Sequence, residues 1–467
     1  MKKGMLMVVF LGILLQLNAQ VREWVSSTDA VRWQQEKVSN RMKPVQQETV
    51  LKILPNQVKQ KMMGFGGCFN EMSWDALQKL SSKDRDAFFK EMFSTQGANF
   101  SYNRFPVGAS DYALDWYSFD ETENDFELKD FSIARDRHSL IPYIQRAMQE
   151  NPQMRFFASP WCPPTWMKTN GNYASLSSEK YNSLDPHLQS LPNTTGFRML
   201  RGYLDTYARY LSKFVSAYRE EGISISDFHV QNEVVAEQIF PSCIWEPQDI
   251  SLFVADYLGP QMKRDHPDLR LWLSTLNVGD PDYMRTALAN KEAASFIYGM
   301  GFQWAGKESI GTIHQEYPDM HLIQTENECG NGENNWQSAL HTWSLIKHYL
   351  RSGAEAYTYW NFVLLSPGVS HWGWSQNSMA VIDAKTKKLS YTPEYYLMKH
   401  LSHFVMPGAL FIHLEGYEDA LAFKNPDGSI IVVLANQTDE TVPIDLVSND
   451  KHQMVHLKPN SFNTIKL

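Results

Sequence analysis

The chain has 467 residues, 43% of them apolar, enough to fill one large α/β barrel or two or three smaller domains. Its net charge of −9, with no basic patch interleaved with aromatics, argues against nucleic acid or an anionic membrane surface as partner. Aromatics make up 13% of the residues, with 14 Trp and 21 Tyr, a surplus that suits stacking on the apolar C–H face of a pyranose.

The chain opens "MKKGMLMVVFLGILLQLNAQ". Lys2 and Lys3 form a charged leader, and Met5 to Leu15 is an apolar run too short to span a bilayer comfortably. This predicts a signal peptide over 1–19, cleaved after Ala19, and a secreted or periplasmic product with no integral membrane segment. No cysteine follows the apolar run, which argues against lipid attachment there. A polar, Gln-rich stretch runs to about residue 48; residues 20–54 form an N-terminal segment.

From about 50 to 400, short apolar runs recur: 61–70, 99–108, 154–161, 226–233, 269–277, 296–304, 321–328 and 354–362. Between most of them lie amphipathic helical patterns, such as 199–222 and 335–353, with apolar residues three and four apart and Gly after the last turn. Eight such alternations predict a (β/α)8 TIM barrel over 55–400. After 400 the pattern changes to period two, with "NPDG" as a hairpin turn and "MVHLKPNSFNTIKL" as a closing strand. This predicts a small β-sandwich over 401–467. Cys68, Cys162, Cys243 and Cys329 fit no zinc spacing, and their pairing stays open.

The strand candidates end in polar or aromatic residues: Asn70 and Glu71, Arg104, Trp161, Asn232 and Glu233, Glu326 and Glu328, Trp360 and Asn361. In a barrel, the C-terminal strand ends form the active-site face. An isolated buried carboxylate is costly, so apolar runs that lead into "QNE" and "TENE" need a partner for each acid. Glu233 ends the fourth run and Glu326 lies in the seventh, so both face one mouth. Two carboxylates across a sugar are the machinery of glycoside hydrolysis, one holding a proton and the other ionised. Residues two apart on a strand share a face, so periodicity leaves Glu326 and Glu328 equivalent.

"GFGGCFNEMSWDAL", "FFASPWCPPTWMKTNG", "QNE" and "QTENECG" together resemble glycoside hydrolase family 30, the relatives of glucosylceramidase and β-1,6-glucanase. The likeness runs in order along nearly the whole mature chain. It implies a (β/α)8 barrel, a side β-sandwich that also takes residues of about 25–55, retention of anomeric configuration, and no metal or organic cofactor. By that resemblance Glu233 is the acid/base and Glu326 the nucleophile. Asn232 holds the sugar 2-hydroxyl, Glu71 grips outer hydroxyls, and Trp161 and Trp360 wall the −1 subsite. Asn377 adds a polar contact, and Arg104 helps keep Glu326 ionised. Relatives commonly carry a His-Trp-Tyr run after the sixth strand, where this chain has Gln303, Trp304 and Ala305. Trp304 stays a sugar-binding candidate. The missing tyrosine leaves either a substitute such as Tyr317 or a wider pocket.

The reading is a secreted retaining β-glycosidase that acts on β-linked glucosyl units, in a β-1,6-glucan or a small β-glucoside. Glucosylceramide, β-fucosides and β-xylosides are alternatives within the family. A non-catalytic carbohydrate-binding barrel would have lost a carboxylate, and both are present.

Overall fold

A computed structural model describes residues 21–37, 49–449 and 451–467. The expected signal peptide at 1–19 lies outside the described residues. Three strands precede the barrel: β1 (Glu23–Thr28), β2 (Gln34–Gln35) and β3 (Thr49–Lys61). The barrel strands are β4 (Gly64–Cys68), β5 (Tyr102–Val107), β6 (Arg155–Pro160) and β7 (Ile225–His229), then β8 (Arg270–Leu276), β9 (Ile297–Gln303), β10 (His321–Glu326) and β11 (Ala356–Asn361). Each falls on one of the eight runs read from sequence. They pair in parallel from β4 to β10, and β11 pairs with β4. The last seam, between β10 and β11, is closed by a parallel bridge from Leu322 to Ala354.

A parallel sheet covered on both faces needs continuous apolar runs, and every residue of β5 and β11 is buried. The glycines of β4, poor strand formers in isolation, are explained by close approach. A Cβ on Gly66 would sit 1.9 Å from the Tyr102 carbonyl oxygen of the neighbouring strand. Outside the barrel, the helix Arg201–Glu220 buries Leu204, Tyr207, Leu211, Phe214 and Tyr218, spaced three and four apart. It is followed by Gly222 at φ 82°, the left-handed exit that glycine adopts at least cost. The helix Trp336–Arg351 is capped by Asn335, whose side chain accepts from the Ser338 N–H at 2.9 Å.

Beyond β11 a small sheet of β12 (Val363–Leu365), β13 (Ala380–Ile382) and β14 (Leu389–Tyr391) brackets the loop 366–379. The C-terminal strands are β15 (Leu410–Glu415), β16 (Ala420–Lys424), β17 (Ile430–Asn436), β18 (Val442–Ser448), β19 (Lys451–Leu457) and β20 (Ser461–Lys466). They join the N-terminal strands in the order β19-β18-β3-β15-β16-β17-β20-β1-β2. Alternate residues, including Leu51, Ile53, Val432, Leu434, Ile444, Leu446 and Ile465, share one apolar core. The "NPDG" turn joins β16 to β17, with Gly428 at φ 85°. β3 does not stop at the expected boundary between 54 and 55. It pairs with β15 as far as Lys61, so the sandwich holds the chain until just before β4.

All four cysteines are buried and free. Among the described residues no helix is long and apolar enough to cross a membrane, and no group of three His, Cys, Asp or Glu is placed to hold a metal ion.

Candidate active site

Arg104, midway along β5, is fully buried and holds the floor of the barrel mouth together. One terminal nitrogen donates to Glu326 Oε2 at 2.8 Å and to the Gln303 and Thr325 oxygens at 3.3 and 3.1 Å. The other donates to Asn232 Oδ1 at 2.6 Å and Ser159 Oγ at 2.8 Å. Its guanidinium carbon lies 4.5 Å from the Trp161 ring centroid. A buried cation tolerates this position only because its N–H groups are matched in this way.

β7 ends at His229, so Asn232 and Glu233 lie beyond it, tied to Thr275 of β8 by a parallel bridge and to the Pro160 carbonyl of β6 by the Asn232 N–H at 2.7 Å. Glu233 adopts φ 49°, a left-handed backbone that costs a side chain of its kind roughly 1–2 kcal/mol. Its carboxylate Oε1 accepts from Gln303 Nε2 at 3.3 Å. The same nitrogen donates to Glu326 Oε2 at 3.1 Å. One amide nitrogen therefore touches both carboxylates, and the facing oxygens are no further apart than those two contacts laid end to end. Glu326 Oε1 accepts from the indole of Trp304 at 3.1 Å, and Trp304 is itself left-handed at φ 49°.

β10 stops at Glu326, and with it the period-two rule. Glu328, beyond the strand, is paired with Lys307 at 2.6 Å and His341 at 2.9 Å. Its carboxylate is absent from the cavity, and that of Glu326 lines it.

The cavity holds about 250 Å³. Asp111, Trp161, Asn232, Glu233, Trp304 and Glu326 line its inner part; Gln238, Phe240, Trp374 and Gln376 come from the loops above. Of the residues picked from sequence, Trp161, Asn232, Glu233, Trp304 and Glu326 meet here, with Arg104 beneath them. Trp360 is fully buried and stacks on Trp161 with ring centroids 5.4 Å apart, so it backs the wall.

Two residues sit elsewhere. Glu71 begins the helix Glu71–Gln78, and its carboxylate is taken up by Arg135 at 3.1 Å, Ser139 Oγ at 3.1 Å and the Leu114 N–H at 2.9 Å. It pins the loop after β5 and does not line the cavity. Asn377 bonds the Gly332 and Asn334 N–H groups and Glu394, while its neighbour Gln376 lines the cavity. Ala305, at the position where relatives carry the tyrosine, lines the cavity, while Gln303 and Trp304 hydrogen-bond Glu326. Tyr317 caps the helix Gly306–Glu316 and packs on the outer core. Asp111 and Gln303 were missed by the strand-end rule. Asp111 lies four residues past β5, and Gln303 was visible only as a departure from a motif.

Desolvation dominates the electrostatics. It pushes the Glu233 carboxyl up to about 8, and the negative charge of Glu326 adds to the rise. Burial also raises Glu326, but Arg104, Trp304 and Gln303 oppose the shift there. Glu326 is therefore the more acidic of the two, and the pair holds one proton on Glu233 near neutral pH. Asp111 is raised well above the usual carboxylate range by burial and by the charges of Glu326 and Glu233; among the described residues no cation pairs with it.

Residues 62–405 match the Glycosyl hydrolase family 30 TIM-barrel domain and residues 408–465 the Glycosyl hydrolase family 30 beta sandwich domain. The chain belongs to glycoside hydrolase family 30. The enzyme is 27% identical over 428 residues to lysosomal acid glucosylceramidase of Mus musculus, covering 86% of this chain and 80% of that protein. It is 23% identical over 412 residues to endo-1,6-beta-D-glucanase of Neurospora crassa, covering 82% and 80%. Among solved structures, SrfJ from Salmonella typhimurium superposes with a TM-score of 0.83 at 25% identity, covering 95% of this chain and 99% of that one. The endo-beta1,6-glucanase BT3312 superposes with a TM-score of 0.80 at 23% identity and the same coverage, a likeness of fold. This glycoside hydrolase thus places a buried carboxylate pair at its barrel mouth; the mouse and Neurospora relatives are named for glucosyl substrates, and other structural neighbours are family 30 xylanases.

Proposed function

We propose that the enzyme is a retaining β-glycosidase that hydrolyses β-linked glucosyl units, in a β-1,6-glucan or a small β-glucoside, by double displacement. The observation that carries this reading is the single Gln303 nitrogen in contact with both Glu233 and Glu326. A pair bridged by one amide nitrogen supports the close spacing of retaining pairs, ~5–5.5 Å, over the ~6.5–9.5 Å at which inverting pairs seat a water.

In the first step Glu326, ionised and held by Arg104 and Trp304, attacks the anomeric carbon. The bond to the aglycone oxygen breaks as Glu233 gives that oxygen its proton. The product is a glycosyl ester on Glu326 and a free alcohol. Glu233, now a carboxylate, takes a proton from water, and the water oxygen attacks the same carbon and releases Glu326. Two inversions give retention. Asn232 Oδ1 accepts from Arg104 and from Thr275 at 2.8 Å, which turns its NH2 group towards the cavity and the sugar 2-hydroxyl. Trp161 and Trp304 contribute aromatic wall to the cavity, and Asp111 a polar group for outer hydroxyls. The leader at 1–19 supports export of the enzyme.

A glucosylceramidase reading is favoured by the name of the mouse relative. The two readings separate on a panel of pustulan, gentiobiose, glucosylceramide and nitrophenyl glycosides. The mechanism is tested with a 2-fluoro glucosyl inactivator and by following the first-formed anomer by NMR. The expected results are a covalent label on Glu326, lost in Glu326→Gln, and β-configured initial product. A label on Glu328, or an α-configured initial product, would overturn the assignment.

A further inference from the structure

The side chain of Gln303 makes more contacts to the carboxylate pair than hydrolysis by Glu233 and Glu326 requires. Its Nε2 donates to Glu326 Oε2 at 3.1 Å, Glu233 Oε1 at 3.3 Å and Asn232 Oδ1 at 3.3 Å. Its Oε1 accepts from the Thr325 hydroxyl at 2.8 Å and from Arg104 at 3.3 Å. Both of those partners are donors to it, so the amide has only one orientation that satisfies the network. Flipping it would aim a carbonyl oxygen at two carboxylates. Thr325 in turn sits on β10, one residue before Glu326, so the hydroxyl that orients the amide is rigidly tied to the strand that carries one of the acids. Gln303 ends β9 and is fully buried.

We infer that Gln303 is a positioning residue that sets the distance between Glu233 and Glu326 and, through two hydrogen bonds from one uncharged nitrogen, how the pair shares a single proton.

The chemistry of an amide makes this role specific. A carboxamide donates without titrating, so it stabilises the ionised form of each carboxylate at every working pH. An imidazole in the same place would become a cation in acid and add a third ionisation to the pair. The amide also has two hydrogens for three acceptors, so its hold on Glu233 and Glu326 is shared. When Glu233 gives up its proton, the carboxylate that results gains the stronger bond. Trp304 and Arg104 reach Glu326 but make no hydrogen bond to Glu233. Gln303 is therefore the residue through which the two acids are linked.

The inference rests on Glu233 and Glu326 being the reacting pair, and its test separates the two claims. The pH dependence of kcat/KM on an activated aryl β-glucoside is measured for the wild type, Gln303→Met and Thr325→Val, alongside labelling by the 2-fluoro inactivator. Methionine keeps the length and removes the donor. The loss of a donor to a carboxylate raises its pKa, so both limbs of the profile are expected to move to higher pH in Gln303→Met, by about one unit. Thr325→Val leaves the amide in place but frees it to turn, and is expected to move both limbs in the same direction by less. It also serves should Gln303→Met fold poorly. Gln303→His is expected to restore a donor and add a third ionisation on the acid side. Limbs that stay in place while only the amount of folded enzyme falls would overturn the inference, with Glu326 still labelled. Absence of the label on Glu326 in the wild type would instead overturn the catalytic assignment.

Discussion

A carboxyl group held near 8 in a folded protein is a stability cost as well as a catalytic device. The unfolded chain ionises Glu233 in the ordinary carboxylate range, while the native state keeps the proton until about pH 8. Between those two values the native state binds more protons than the unfolded one, so stability falls as pH rises through that window and levels off above it. Glutamine at 233 has no such ionisation. Glu233→Gln is therefore expected to melt at the same temperature as the wild type near pH 4, then above it by a margin that widens to about pH 8 and stays constant beyond. Calorimetry across that range measures it; a margin that shrinks with rising pH would contradict the raised pKa. The left-handed backbone at Glu233 and Trp304 adds to this cost at the same two strand ends.

The elements explain which acids meet. Glu326 is the last residue of β10 and is aimed by the strand itself, whereas Glu233 lies four residues past β7 and is aimed by the departure from it. The loop after β5 is the contrasting case. It carries Asp111 into the cavity and is anchored by Glu71, whose carboxylate bonds to Arg135, Ser139 and the Leu114 N–H. The two acids should respond oppositely to substitution. Glu71→Ala leaves the buried Ser139 hydroxyl and the partly exposed Arg135 and Leu114 N–H donors unpaired and is expected to lower stability by about 1 kcal/mol. Asp111→Asn removes a carboxylate that burial disfavours, and is expected to keep or raise the melting temperature while kcat/KM for a glucoside falls about 10–100-fold. Melting curves and initial rates on the same two variants measure both effects. An Asp111→Asn enzyme of full activity would remove that residue from the sugar site.

At the scale of the molecule, the barrel and sandwich are joined by chain as well as by contact. β1 pairs with β20 and β3 with both β15 and β18, so the N-terminal strands complete a sheet built mainly from the other end of the chain. The helix Pro393–Ser402 runs between them, with His400 bonded to Thr464 and to Ser27, each at 2.9 Å. Trp336 of the barrel helix Trp336–Arg351 lies 4.7 Å from Phe462 of β20. A chain that ends at residue 407 would expose these faces, leave β3 without a partner and leave β1 paired only with the two residues of β2. The full chain is expected to melt in one cooperative transition, and the truncated chain to lose that transition and to fail to bind the inactivator. A truncated barrel that still melts cooperatively and labels would make the sandwich an independent unit.

The order of the eight strands, the helix faces and the C-terminal sheet were legible in the sequence because periodicity is local: apolar spacing of two, three or four reports which face a residue buries. The acid pair was legible for a related reason, since an apolar run that ends in a carboxylate signals a chemical demand within a few residues. Three things were not local. Whether Glu326 or Glu328 enters the cavity depends on where β10 stops. That Asp111 and not Glu71 lines the cavity depends on Arg135, Ser139 and the Leu114 N–H, which hold Glu71 outside it. And Gln303, visible in the sequence only as a departure from a motif, becomes the contact between Glu233 and Glu326 only when β9 is set beside β10 and the turn after β7 swings Glu233 across to it. Those outcomes are decided by hydrogen bonds between side chains of different elements, such as Glu71 with Arg135 and Gln303 with Glu233, and only the closed barrel brings them within reach.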